Sequence, residues 1–516
     1  MSLNYTSQIT GDSLGASISI VSTPYAISFI TVILGLAWVS WTQWWRKPKL
    51  IPGIHVVGGD SRREIMASRE RFRVASRQMV LSGYEETGGK DFYYVPSRAG
   101  ERLVMPTHFI EELKSAAIQA VDFTGIMIDL MEGRYTGLVD RSRLTPDTLK
   151  LGVSPKLGSM LPDIQEEIEA AFHDLFPSCD DWTEIEILPL FATIVGRATS
   201  RMMGGKTLSR DSEWINTAVN FTHCSVNGAQ KIKSLPSLIR PILAPWIKEI
   251  RKDVNGAYRT SELYAKKIIE QRLKDGEWPD DLITLLYDRA KPKEKEYKFM
   301  AKMLLQTAFA SIHTSTAAML HFIMDLCEHP EYIDILRDEY RELMDDKGYI
   351  VPGGMLRLSK LDSCMKESQR HWPGTILTFE RIMHKDRTLS NGMTVPAGHR
   401  IAVCNAGVNM DPNIFPEPEK FDGLRFHRQR QQDPSVAGKT QFVSCNQTSL
   451  NFGYGRHACP GRFFLADEYK IIIVRLLENY EFKYPEGKGR PPTLEWETQY
   501  VVNPAAKVMF RKLKTA

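Results

Sequence analysis

Apolar residues recur at three-to-four spacing over 160–176, 258–274, 298–326, 331–344 and 461–478, the period of helices that bury one face. A further helical stretch begins near Ser359, a residue type suited to an N-cap. Strand-like pieces are short and lie toward the chain ends, at 92–95, at Val395 with 401–404, and at 501–511. Turn residues Ser390, Asn391 and Gly392, with Pro396 and Gly398, bracket a hairpin. The pattern predicts a mainly α fold with a minor β-sheet region. From 55 to 516 there is no internal repeat, low-complexity linker or sharp charge shift, so this part reads as one domain.

The N-terminus has a different pattern. Residues 25–45 run without a charge, and about 20 such residues cross a bilayer as a helix. Trp38, Trp41, Trp44 and Trp45 gather at one end, and Arg46, Lys47 and Lys49 follow. The first 24 residues hold no Lys or Arg, so the positive-inside rule puts the bulk of the chain in the cytosol. The expected layout is a lumenal segment over 1–24, a transmembrane helix over 25–45, a basic, proline-containing hinge over 46–54 and a catalytic domain over 55–516. The expected place is the endoplasmic reticulum membrane, crossed once. Asn4 stands in an N-x-T sequon on the lumenal side, a candidate for glycosylation.

Composition changes this little. The net charge of +4 over 516 residues gives no basis for nucleic-acid binding. Seven cysteines, none in C-x-x-C, fit neither a disulfide scaffold nor a zinc site.

One cysteine stands apart. In 451–464, read NFGYGRHACPGRFF, Gly453, Gly455, Gly461 and Pro460 surround Cys459 just before an amphipathic run. Glycines permit a folded loop whose amides converge on one point. The N-terminus of a following helix favours the thiolate, the form that binds metal. Arg456, His457 and Arg462 add positive charge. This segment resembles the haem-binding signature of cytochromes P450, with Cys459 at the position of the axial haem-iron ligand. The resemblance marks Phe452, Gly455, Arg456, His457, Cys459 and Gly461 as cofactor-binding, and haem b as the cofactor. It departs from the family at His457, where Arg is usual.

Other segments agree with that resemblance. Glu367 and Arg370, three apart on one helix face, are similar to the family's E-x-x-R pair, and Arg425 in 421–426 to its third member. Such a cluster is structural. Ala310 to Ser315 resembles the stretch whose Thr relays protons, which implies a catalytic role for Thr314. His313 replaces the usual acid and Ser311 the usual glycine, so His313 is a second catalytic candidate. Arg381, after the E-x-x-R helix, resembles a propionate-binding arginine. Residues 141–145, with Arg141 and Arg143, resemble only weakly the helix that crosses the other propionate.

The resemblance implies the P450 fold and a haem-thiolate monooxygenase that inserts oxygen from O2 into an apolar small molecule. The A-x-x-H-T pattern is similar to filamentous-fungal members that oxidise terpenoid, meroterpenoid or polyketide-derived secondary metabolites. Electrons would come from NADPH through the membrane-bound NADPH-cytochrome P450 reductase. Two alternatives remain at this stage: a haem-thiolate isomerase or dehydratase without a reductase, and a non-catalytic haem sensor.

Overall fold

The computed structural model of the chain describes residues 24–45, 50–236 and 238–513. Asn4, the rest of 1–23 and the basic residues of 46–49 lie outside the described residues.

The first element is helix α1 (Pro24–Trp45), on which Phe29, Ile30, Val32, Ile33, Leu34, Trp38 and Trp41 stand exposed. Among the described residues no helix is long and apolar enough to cross a membrane, so the structure gives the expected anchor over 25–45 a helix but not a span. The other main helices are α2 (Arg62–Glu86), α3 (Phe123–Leu130), α4 (Ser154–Leu175), α5 (Ile187–Gly204), α6 (Ser212–Ser234), α7 (Asn255–Asp275), α8 (Tyr297–Glu328), α9 (Glu331–Arg341), α10 (Ser359–His371) and α11 (Arg462–Asn479).

The 32-residue α8 runs through the main core, with Met300, Leu304, Ala308, Ile312, Met319 and Phe322 buried, as befits a helix apolar on most sides. Helices α5, α6 and α7 pack on it. Gly196 lets α5 come close: a Cβ there would stand 3.2 Å from Val219 on α6 and 3.9 Å from Ile312 on α8. Helix α4 begins six residues before its expected start. Its Pro155 lies in the first turn, where a missing N–H does no harm.

The expected N-cap at Ser359 is corrected by the structure. Ser359 is the first helical residue, and its hydroxyl meets His427 Nδ1 at 2.9 Å. The free amides of Lys360 and Leu361 donate instead to the Glu339 carboxylate on α9, at 2.6 and 2.9 Å. A tertiary neighbour thus does the work of a local cap.

The main sheet contains β1 (His55–Val56), β2 (Tyr93–Val95), β3 (Arg102–Val104), β4 (Val121–Asp122), β5 (Leu377–Met383) and β6 (Arg400–Cys404), in the order β1-β2-β3-β6-β5-β4. The turn at 390–392 joins Arg387–Thr388 to Thr394–Val395, so Val395 pairs with Arg387 and not with β6. The expected strand over 501–511 is two pieces. Gln499–Val501 pairs with Leu494–Trp496, and Lys507–Lys512 lies between Tyr480–Lys483 and Thr183–Glu186.

Candidate active site

Cys459 sits in a loop that closes on itself, its backbone N–H donating to the Phe452 carbonyl at 2.8 Å. Gly453 and Gly455 have φ of +70° and +73°, which side chains disfavour. At Gly455 a Cβ would also come within 2.6 Å of the Lys114 Cβ. The Phe452 ring anchors the loop edge-on against Phe442, centroids 5.2 Å apart. Helix α11 starts three residues after Cys459, and Arg462 in its first turn holds the Cys459 carbonyl at 2.8 Å. Burial raises the Cys459 thiol pKa on balance, and the amides of Gly461 and Arg462 and the Arg462 charge pull it part of the way back down. The loop therefore aims two N–H groups and a cation at one sulfur.

Beside this loop stands a buried, unneutralised arginine. Arg381 is 4% exposed. A register shift in β5 between Thr378 and Arg381, with Phe379 at φ +52°, turns it inward. Its guanidinium lies 4.2 Å from the Phe379 ring centroid and 4.8 Å from that of Phe123 on α3. It donates to the Glu380 carbonyl at 2.8 Å and has no carboxylate partner among the described residues. Burial draws its pKa down to about 10. His457 packs on the same Phe123 ring at 5.1 Å. Burial, then the charges of Arg381, Arg143 and Arg456, lower its pKa to about 4, so it is neutral at pH 7. Arg456 itself is exposed and donates to the Ser115 carbonyl at 3.3 Å.

Within 141–145 a helix starts at Leu144 and runs on to Thr148, with Arg141 and Arg143 just before it. Arg141 is bound to Asp122 at 2.9 Å, where Asp122 also caps α3, and Arg143 is bound to Asp147 at 2.6 Å.

The charged triad is assembled. Glu367 Oε1 accepts from Arg370 Nη2 at 2.8 Å and from Arg425 Nε at 3.2 Å, and Oε2 accepts from Arg370 Nε at 3.0 Å. All three side chains are buried. Burial alone would raise the Glu367 pKa, but the bonds from Arg370 and His371 and the two guanidinium charges bring it to about 2. Arg370 also donates to the Asn409 carbonyl at 2.8 Å, and Arg425 to that of Pro416 at 2.7 Å.

On α8, Ala310 and Thr314 are exposed although Thr307, Ala308, Ile312 and Ser315 around them are buried. They lie one turn apart and border an opening within the fold. Tyr469 of α11 reaches the Ala318 carbonyl, one turn further along α8, at 3.0 Å. The Thr314 hydroxyl donates back to the Ala310 carbonyl at 2.7 Å, and Ser311 does likewise to Thr307 at 2.8 Å. His313 does not pair with Thr314. Its Nε2 lies 2.7 Å from the Val219 carbonyl on α6, which requires the proton on that nitrogen. Burial lowers its pKa.

Sequence reasoning passed over Phe123 and Asn405. Asn405 is fully buried, and its Nδ2 donates to the Thr375 carbonyl at 3.0 Å and to Asn451 Oδ1 at 2.8 Å. It joins the start of the Cys459 loop to the segment entering β5. The partners are 46 positions apart, so no spacing rule reveals the link.

Comparison with known proteins bears on this arrangement. Residues 113–510 match the family model described as Cytochrome P450. The chain is 30% identical over 485 residues to the cytochrome P450 monooxygenase braC of Annulohypoxylon truncatum, covering 92% of this chain and 95% of that one. It is 31% identical over 452 residues to an ent-kaurene oxidase of Gibberella intermedia, covering 86% and 85%. A retinoic-acid-bound cyanobacterial CYP120A1 shares the fold, with a TM-score of 0.65 at 17% identity over 84% of this chain and 93% of that one. With Cys459, the Glu367 triad and the family match over most of its length, the chain belongs to the cytochrome P450 family, as one of its fungal-type monooxygenases.

Proposed function

We propose that the chain is a haem-thiolate monooxygenase that inserts one atom of O2 into a C–H bond of an apolar small molecule, a terpenoid, meroterpenoid or polyketide-derived intermediate. The observation that carries this reading is the Cys459 loop, with two amides and the Arg462 charge directed at the sulfur of this half-buried cysteine. The ent-kaurene oxidase among the relatives supports the terpenoid class. Electrons come from NADPH through NADPH-cytochrome P450 reductase.

The residues fit haem. Arg381 is a buried cation with no carboxylate in ion-pair contact among the described residues, the nearby Glu380 being bound to Arg102, and a propionate would satisfy it. The neutral His457 and Arg456 would help hold the cofactor beside Arg381, and Cys459 would hold its iron. Bound haem supplies the activation of oxygen. The chain's own residues do the rest. The loop holds the thiolate by amide donors, Arg381 and His457 fix the propionates, and Thr314 holds a hydroxyl at the opening on α8 to pass protons. Because Thr314 already donates to Ala310, its oxygen is left to accept. The Glu367, Arg370 and Arg425 triad keeps the scaffold beneath the site and does no chemistry.

We place the protein on the endoplasmic reticulum membrane. Support comes from the exposed apolar face of α1 and from Leu238, Ile242, Leu243 and Trp246, which stand exposed beside Arg240, Lys248 and Arg251. Apolar residues next to cations suit a lipid surface.

The test is incubation of the full chain with reductase, NADPH, 18O2 and a panel of fungal terpenoid precursors. One 18O atom per product, dependent on NADPH, is the expected result. Turnover that needs neither NADPH nor O2 contradicts it.

A further inference from the structure

Helix α8 is buried on most sides, yet one ridge of it stays open. Positions 298, 302, 306, 310, 314 and 318, each four apart, are all exposed or half-buried, while Leu304, Leu305, Ala308 and Ile312 between them are buried. Residues four apart form a continuous ridge along a helix. This ridge starts at the exposed Lys298 and runs into the opening at Ala310 and Thr314. Its outer part is roofed by the segment 137–140. Lys302 pairs with Asp140 at 2.7 Å, and Gln306 Nε2 donates to the Gly137 carbonyl at 2.9 Å. Gln306 is therefore the last ridge residue under that roof, one turn from Ala310 and about two from Thr314.

The Gly137 bond fixes how the Gln306 carboxamide is turned. A carbonyl can only accept, so Nε2 must meet it, and Oε1 is left over. That oxygen accepts no hydrogen bond among the described residues, and it is not sealed from solvent. Elsewhere on this part of the ridge, Lys302 is spent on Asp140, Ala310 has no polar side-chain atom, and the Thr314 hydroxyl donates to the Ala310 carbonyl. Between Lys302 and Thr314, Gln306 Oε1 is thus the ridge's one free hydrogen-bonding group, and it can only accept. A few placed polar groups set the orientation of a ligand in an apolar site.

We propose that Gln306 Oε1 accepts a hydrogen bond from a hydroxyl of the substrate, and that Gln306 thereby sets which end of the molecule lies beside Thr314. This rests on the monooxygenase reading and deepens it. The eight residues from Gln306 to Thr314 span about 12 Å at 1.5 Å each, so the substrate is an alcohol oxidised at the end remote from its hydroxyl. A reaction that leaves a hydroxyl, an earlier hydroxylation or a carbonyl reduction, must supply it. An ether of the same skeleton gains nothing from this contact, because two acceptors cannot bond to each other.

The experiment is a spectral titration of the haem-loaded full chain with farnesol, geranylgeraniol and ent-kaurenol, each beside its methyl ether, which keeps the oxygen and loses the donor. The alcohols should bind the native protein about three- to tenfold more tightly than their ethers, the worth of one hydrogen bond shielded from water. Gln306→Met, close in shape, should erase that preference by weakening the alcohols while leaving the ethers unchanged. A role confined to holding Gly137 would weaken alcohol and ether alike, and that result overturns the proposal. So does equal binding or no binding of alcohol and ether by the native protein, or a preference that survives in Gln306→Met. A second measurement needs no variant: with reductase, NADPH and 18O2, farnesol should take up 18O at the end remote from its hydroxyl, and label beside the hydroxyl contradicts the proposal. The carbon-monoxide spectrum separates the two readings. A thiolate band with no alcohol preference sinks only the role of Gln306, whereas loss of the band from the native protein sinks the monooxygenase reading too.

Discussion

The amide of Cys459 donates to the carbonyl of Phe452 at 2.8 Å, so the residue with the sulfur is tied to the residue that roots its loop in the core. Seven positions of chain are thereby folded into a closure that leaves the Gly461 and Arg462 amides free to face the sulfur.

Gly455→Ala should disable the loop without touching the sulfur. The substitution places a Cβ at φ +73° and 2.6 Å from Lys114, and backbone strain of this kind costs about 1–3 kcal/mol. Haem content per folded protein should fall, read as the ratio of haem to protein absorbance. Unchanged content would mean that Lys114 yields.

Arg381→Leu should act in opposite directions on the two forms of the protein. Removing a buried cation that lacks a carboxylate should raise the melting temperature of haem-free protein. The same change should weaken haem binding by about 1.5–3 kcal/mol, the worth of hydrogen bonds to a charged group. Calorimetry of haem-free protein and haem titration measure the two effects, and a variant that binds haem like the native protein removes Arg381 from the propionate site.

Glu367→Gln should be among the most damaging single changes outside the loop. It leaves Arg370 and Arg425 buried without their shared carboxylate, which costs about 3–5 kcal/mol. In the native protein the depressed Glu367 pKa stabilises the fold above the ordinary value of 4.5 and ceases to do so as pH falls toward about 2. Denaturation at pH 7 should therefore separate the two proteins widely, and the gap should narrow below pH 4.5.

Glu468 on α11 shows the reverse behaviour. It is buried, accepts from Thr199 at 2.9 Å through one oxygen, and its other oxygen has no partner among the described residues. Burial raises its pKa to about 8 from 4.5. The unfolded chain then ionises between those values while the folded chain keeps its proton, so this group lowers stability as pH rises from about 4.5 to about 8. Glu468→Gln should match the native protein at pH 4.5 and exceed it in melting temperature at pH 8. A constant difference across that range would refute the assignment.

Much of this was legible in the chain. Gly453, Gly455 and Gly461 mark the loop, and Glu367 with Arg370 can pair because three residues nearly complete a helical turn. That Arg425 joins them, 58 positions away, came from a resemblance and not from spacing. What stayed hidden depends on tertiary neighbours. Glu339 caps α10 from another helix. Arg141 is held by Asp122. The direction of His313 is set by a carbonyl on α6. Each of these is decided by which elements meet, and no local pattern carries that information.

The most direct test is the reduced, carbon-monoxide difference spectrum of the purified protein beside Cys459→Ala. A thiolate-ligated ferrous haem absorbs at longer wavelength with carbon monoxide than a histidine-ligated one. The account predicts the long-wavelength band in the native protein and its loss in the variant. Haem bound without that band, or a band that persists in Cys459→Ala, would contradict the assignment of Cys459 as the ligand.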